Sequence, residues 1–236
     1  MKSLIGKKVG MTQVFAEDGT AYPVTVVEVT PNVVTAIKTV EKDGYSAIQI
    51  GFGDIKEKRL NKPELGQFKK ANVAAKASLH ELQLSDASAI QVGDALTVNQ
   101  FKVGDVVDVI GISKGKGYSG AIKRWHFKIG PKGHGASGPH RSQGSMATVG
   151  RTNNRVHPGK KMAGHHGNQQ TTVLNLLVVG VDEARNALLI RGGLPGPNKG
   201  LLKIRTAVKT QLGQPLVAKP LINRQSQPAA EQAEGK

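Results

Sequence analysis

"FKVGDVVDVIGISKGKGYSGAIKRWHF", residues 101–127, changes character half-way along. Up to Ser113 it reads as a turn at Gly104-Asp105 followed by a strand of Val and Ile, residues that suit a pleated, half-buried surface. From Lys114 onward the apolar pattern stops. It does not resume until "TVLNLLVVGV" (172–181), followed by "NALLIRGG" (186–193) and "LLKIR" (201–205), with Pro195 and Pro197 between the last two. Residues 111–167 hold thirteen of the 29 glycines. Structureless connections beyond about 12–15 residues are uncommon and usually functional or disordered. Residues 113–171 are therefore read as an element in their own right, an extended, largely irregular internal arm between two groups of strands.

Upstream, "LIGKKVGMTQVF" (4–15) reads as a strand region bent at its glycines. "AYPVTVVEV" (21–29), "NVVTAIKTV" (32–40) and "YSAIQIGF" (45–52) follow, punctuated by Asp18-Gly19, Pro31-Asn32 and Asp43-Gly44, the last suited to a tight hairpin. Strands so close in sequence predict an antiparallel meander or barrel. Residues 56–100 form a more polar insert. Within it Pro63 can open a short helix, "PELGQFKKA", with Glu64 near its positive end, and "SLHELQLS" (78–85) can be a strand. The expected fold is mainly β, an antiparallel barrel with a small α/β insert and the long arm. The barrel takes residues 1–112 and 172–209; the tail 210–236, rich in Gln, Pro and Ala, reads as a disordered terminus.

Charge is distributed as unevenly as glycine. The net formal charge is +16. Residues 1–108 carry thirteen basic and thirteen acidic side chains, residues 109–181 eleven basic and no acidic ones, and residues 182–236 nine and four. An isolated block at +11 repels itself, and a polyanionic partner relieves that repulsion. No apolar run is long enough to span a bilayer, and "MKSLIGKKVG" lacks the apolar core of a secretory signal, so cytoplasmic residence is expected. The absence of cysteine excludes disulfides, thiolate zinc sites and thiol catalysis.

Two enzyme-like patterns lie in the arm. "GKGYSG" (115–120) matches G-x-G-x-x-G, but the dinucleotide fingerprint needs an acid about 20 residues on, and none occurs before Asp182. The glycines serve instead as a flexible turn, or let backbone amides, Lys114 and Lys116 approach phosphates. Six of the seven histidines also fall here. Adjacent His165 and His166 point different ways in an extended chain, and no carboxylate is near to orient an imidazole, so neither a metal site nor acid–base catalysis is expected. No cofactor is expected either.

Rings, guanidinium planes and lysines fit RNA better, by stacking on unpaired bases and neutralising phosphates. In "AIKRWHFK" (121–128) the rings Trp125, His126 and Phe127 alternate with Lys123, Arg124 and Lys128. Trp125 and Phe127 either stack on bases or pin the root of the arm to the barrel. The candidate RNA contacts continue through Lys132, His134, His140 and Arg141, then Arg151, Arg155, His157, Lys160, Lys161, His165 and His166. Helix-turn-helix, zinc-finger and basic-zipper patterns are absent, which favours irregularly folded RNA over duplex DNA. A free nucleic-acid chaperone or DNA-compacting protein stays open on composition alone.

"LIGKKVGMTQVF", "PVTVVEV", the stretch 101–127, "GSM", "PGKKMAGHHG" and "ALLIRGGLPGPNKG" together closely resemble the bacterial form of the large-subunit ribosomal protein L-three family, from the N-terminus to about residue 209. The resemblance implies a barrel related to those of translation factors. It also implies an internal loop that enters 23S-type ribosomal RNA toward the peptidyl-transferase centre. Early binding near the 3′ end of that RNA, nucleation of subunit assembly, and L-fourteen and L-nineteen as protein neighbours belong to the same expectation. Some relatives methylate a glutamine after the "GSM"-like segment; here Thr148 stands at that place, so the modification is not expected.

Overall fold

The computed structural model describes residues 2–83, 90–135, 138, 140–146, 155–209 and 221. It divides into two compact units, Met1–Gly111 with Thr171–Lys236, and Ile112–Gln170. The first unit is built on a closed, six-stranded antiparallel barrel of β1 (Ser3–Phe15), β2 (Ala21–Glu28), β7 (Val106–Ile112), β10 (Gln170–Asp182), β11 (Ala187–Arg191) and β12 (Leu201–Thr206), in the order β1-β12-β7-β10-β11-β2. Closure joins chain segments far apart in sequence. Ser3 lies opposite Arg205 and Lys7 opposite Leu201, while Lys7 through Phe15 pair with β2.

The bend in β1 is a bulge between Lys8 and Gly10. There Lys8 turns inward and is buried, its Nζ donating to the carbonyls of Leu194 (2.7 Å) and Gly196 (3.3 Å). Those bonds provide polar partners for a buried ammonium group.

A second sheet, in the order β5-β4-β3-β6, contains β3 (Asn32–Lys38), β4 (Ala47–Asp54), β5 (Lys76–Leu82) and β6 (Ala95–Leu96). The strands at 32–40 and 45–52, read as part of a continuous barrel, therefore belong to this sheet. Both edges of β2 are occupied, by β1 and β11, so β3 has no free barrel edge beside it. Buried Asn32 marks the departure, its Nδ2 donating to the carbonyls of Ile5 (3.1 Å) and Thr30 (3.2 Å). Nor is Asp43-Gly44 a two-residue hairpin. One helical turn, α1 (Val40–Asp43), joins β3 to β4, and Gly44 at φ 81° closes it. A left-handed glycine serves a helix end as well as a hairpin.

The helix expected at Pro63 forms as α2 (Lys62–Ala71), with a reciprocal capping box between Asn61 and Glu64. One apolar cluster joins Leu4, Val27, Val107, Val109, Leu188, Ile190 and Ile204 of the barrel to Ile48, Ile50, Phe52 and Leu82 of the second sheet. Each such side chain, fully buried, contributes about 1.5–3 kcal/mol relative to exposure. Among the described residues no helix is long and apolar enough to cross a membrane. Of the tail 210–236, Leu221 alone is described; it bridges Ala16 and packs with Ala16, Tyr22, Val24 and Val179. The expectation for its other residues lies outside the described chain.

His80, on β5 opposite Ile50, is the one histidine outside residues 112–170. Its Nε2 is enclosed without a hydrogen-bond partner, and burial, then the charge of Lys203, hold its pKa below the usual value. The folded imidazole therefore gives up its proton more readily than the unfolded one. Stability is fully present above the unfolded pKa of about 6.5 and declines as pH falls from there toward the folded value. In urea titrations His80→Gln is expected to lose less stability between pH 7.5 and 5 than the parent chain. Equal losses would discount His80 as the source.

Candidate nucleic-acid interface

The second unit carries a short ladder. After β7 the chain enters "GKGYSG", whose Tyr118–Ser119 form β8, continues into the five-residue helix α3 (Ala121–Trp125), and returns through β9 (Gly164–His165). Backbone bonds hold the two limbs together: Ser113 N–H to Gln169 O (2.9 Å), Asn168 N–H to Ser113 O (3.1 Å), Lys116 N–H to His166 O (2.8 Å) and His166 N–H to Gly117 O (2.9 Å). Gly167, at φ +78°, lies so close to Lys114 that an added Cβ would run into its carbonyl oxygen. "GKGYSG" thus builds one side of an antiparallel ladder. It does not open the strand–helix–parallel strand unit of a dinucleotide site.

Beyond the ladder a clasp ties α3 to the returning limb. Trp125 Nε1–H donates to the carbonyl of Met162 (2.8 Å), and Arg124 Nη1 donates to the same oxygen (3.1 Å). The Arg124 guanidinium also lies against Gly164, where a Cβ would stand 2.6 Å from Nη1. The Trp125 ring carries Arg124 at 5.0 Å and Lys161 at 5.4 Å from its centroid. Each such cation–π contact contributes about 0.5–1 kcal/mol at an exposed site. These contacts of Trp125 tie α3 to the returning limb within the second unit, whereas the expected pin was to the barrel. Further out, Gly130 N–H donates to His140 O (3.0 Å), and His140 Nδ1 lies 2.7 Å from Pro131 O.

Most of the candidate contacts are exposed: Lys114, Lys116, Lys123, Trp125, His126, Lys128, Lys132, His134, Arg141, Arg155, His157, Lys160, Lys161 and His165. Arg124, His140 and His166 are half-buried, and Arg151, like Thr148, lies outside the described residues. His165 and His166 part company, the first exposed on β9, the second with Nδ1 enclosed and without a hydrogen-bond partner. Desolvation, then the charges of Lys116, Arg124, Lys123 and His126, hold the His166 pKa below its usual value. Among the described residues no three His, Asp or Glu side chains gather as metal ligands.

Sequence reasoning passed over Tyr118. Treated there as part of a glycine turn, it sits on β8 with 81% of its surface exposed, paired across the ladder with His165. An aromatic flanked by Lys116 and a ring-bearing partner strand was the available signal.

A closed antiparallel barrel interrupted by an acid-free, lysine-, arginine- and histidine-bearing unit defines a β-barrel protein with a polycationic insert. The model of the family described as "Ribosomal protein L3" matches residues 65–188. The "Large ribosomal subunit protein uL3" of Geobacillus sp. (strain WCH70) is 51% identical over 210 residues, which cover 89% of this chain and 98% of that protein. The chain belongs to the ribosomal protein L3 family.

Proposed function

We propose that this chain is a structural constituent of the large ribosomal subunit and a primary binder of its RNA, with no catalytic residues of its own. In this reading residues 1–112 and 172–209, barrel and second sheet together, form a rigid base, and the arm 113–171 enters 23S-type RNA toward the peptidyl-transferase centre. Binding near the 3′ end of that RNA nucleates subunit assembly in the cytoplasm, with L-fourteen and L-nineteen as the expected protein neighbours. The observation that supports this most strongly is the insert itself, eleven basic side chains and no acid over residues 109–181, most of them exposed where described. Phosphate neutralisation with counterion release supplies the affinity; ring and backbone contacts supply fit to an irregular RNA.

Co-sedimentation tests the assignment. A tagged chain expressed in a bacterial host is expected to travel with large subunits and to stay with them through a high-salt wash. Release at moderate salt into a fraction bound indiscriminately to RNA and DNA would favour a free nucleic-acid chaperone instead.

A further inference from the structure

The β8–β9 ladder has two unlike faces. Ser119 is buried, and Arg124 covers the position where Gly164 would carry a side chain. Tyr118 and His165 form the other cross-strand pair. Directly opposed residues of an antiparallel ladder project to the same side, with Cβ atoms about 4.5–5.5 Å apart. Both are exposed, Tyr118 to 81%.

A lone exposed tyrosine is ordinary on a protein surface. This one differs in being fixed to a hydrogen-bonded ladder beside an imidazole, with Lys114 and Lys116 exposed just before it in the chain. We propose that Tyr118 and His165 form a two-ring platform on which an unpaired RNA base stacks, while the nearby lysines hold the flanking phosphates. The inference rests on the RNA-binding reading above and adds a specific contact to it. Every base has a π-face, so stacking asks for a base free of its helix rather than for one sequence. Duplex RNA, with its bases already stacked, is not a ligand of this platform.

The full-length chain, with two probes, tests this: a transcript of the 3′ third of bacterial large-subunit RNA, and a perfectly paired RNA duplex. Tyr118→Leu is expected to weaken binding of the transcript by about 5- to 150-fold, and Tyr118→Phe to bind within about two-fold of the parent chain. The slope of log affinity on log salt should stay unchanged, because no cation is removed, and duplex binding should be unaffected. Amide protection at Lys116 and His166 should persist in both variants. Unchanged transcript affinity in Tyr118→Leu overturns the platform, as does equal weakening on the duplex or loss of ladder protection, which would mark Tyr118 as merely structural. A parent chain that fails to bind the transcript in a salt-dependent way overturns the RNA-binding reading itself, a result distinguishable from the others.

Discussion

Replacing Gly167 by valine is expected to open the base of the insert while leaving the barrel folded. Two costs coincide at this position. A φ of +78° is open to glycine but costs an L-residue about 1–2 kcal/mol. The new Cβ would also meet the Lys114 carbonyl oxygen and lie 3.0 Å from Gly115 Cα, both of them backbone atoms that cannot swing aside. Together the two place the penalty at about 2–5 kcal/mol. Asn168, next in the chain, and His166, just before, donate two of the bonds that join the limbs. Hydrogen exchange should therefore show faster exchange at Ser113, Lys116, His166 and Asn168. RNA affinity should fall more than ten-fold, with the thermal midpoint of the barrel nearly unmoved. Parental exchange rates at those four amides would contradict the proposed dependence on Gly167.

The second large effect belongs to the barrel. Asp108, on β7, is 1% exposed, and its carboxylate accepts the N–H of Asn175 (3.1 Å) and of Val208 (3.3 Å). Arg205 Nη2 stands 3.6 Å away. One side chain thus ties β7 to β10 and to the chain just after β12. Asp108→Ala leaves two backbone donors short of an acceptor and an arginine short of its counter-charge. Because Arg205 keeps about a third of its side chain in solvent, the loss is set at about 2–4 kcal/mol, below the range for a fully buried pair. For a chain of this size that lowers the melting midpoint by about 4–16 °C. A midpoint within about 1 °C of the parent would show that water satisfies those donors equally well.

How much of this could be read in advance differs between strand and site. Runs of Val, Ile and Thr marked the strands because β-branched side chains fit a pleated surface, and α2 was marked by Pro63 and Glu64. Which sheet a strand joins was not legible. The pairing of Ser3 with Arg205 bridges almost the whole chain, and alternation along β3 is the same whether its partner is β2 or β4. Nothing local to Asp43-Gly44 distinguishes a hairpin from the end of a helical turn.

At the candidate site the charge block was fully legible, being a property of composition. The division of labour inside it was not. Trp125 and Arg124 read as RNA contacts in a line of text; the structure adds that both donate to the carbonyl of Met162, 37 and 38 positions away. Tyr118 looks like turn filler until β9 is set beside it. Both features come from the antiparallel return of the insert, a long-range fact that no window of neighbouring residues contains.

The central claim is that the acid-free insert binds RNA through its phosphates. The most direct measurement is the affinity of the full-length chain for large-subunit RNA across a range of salt concentrations. If about six to eight of the insert's cations meet phosphate, log affinity should fall against log salt with a slope of about −4 to −7. A slope near −1 would contradict the account, since eleven unneutralised cations could not then be the basis of binding.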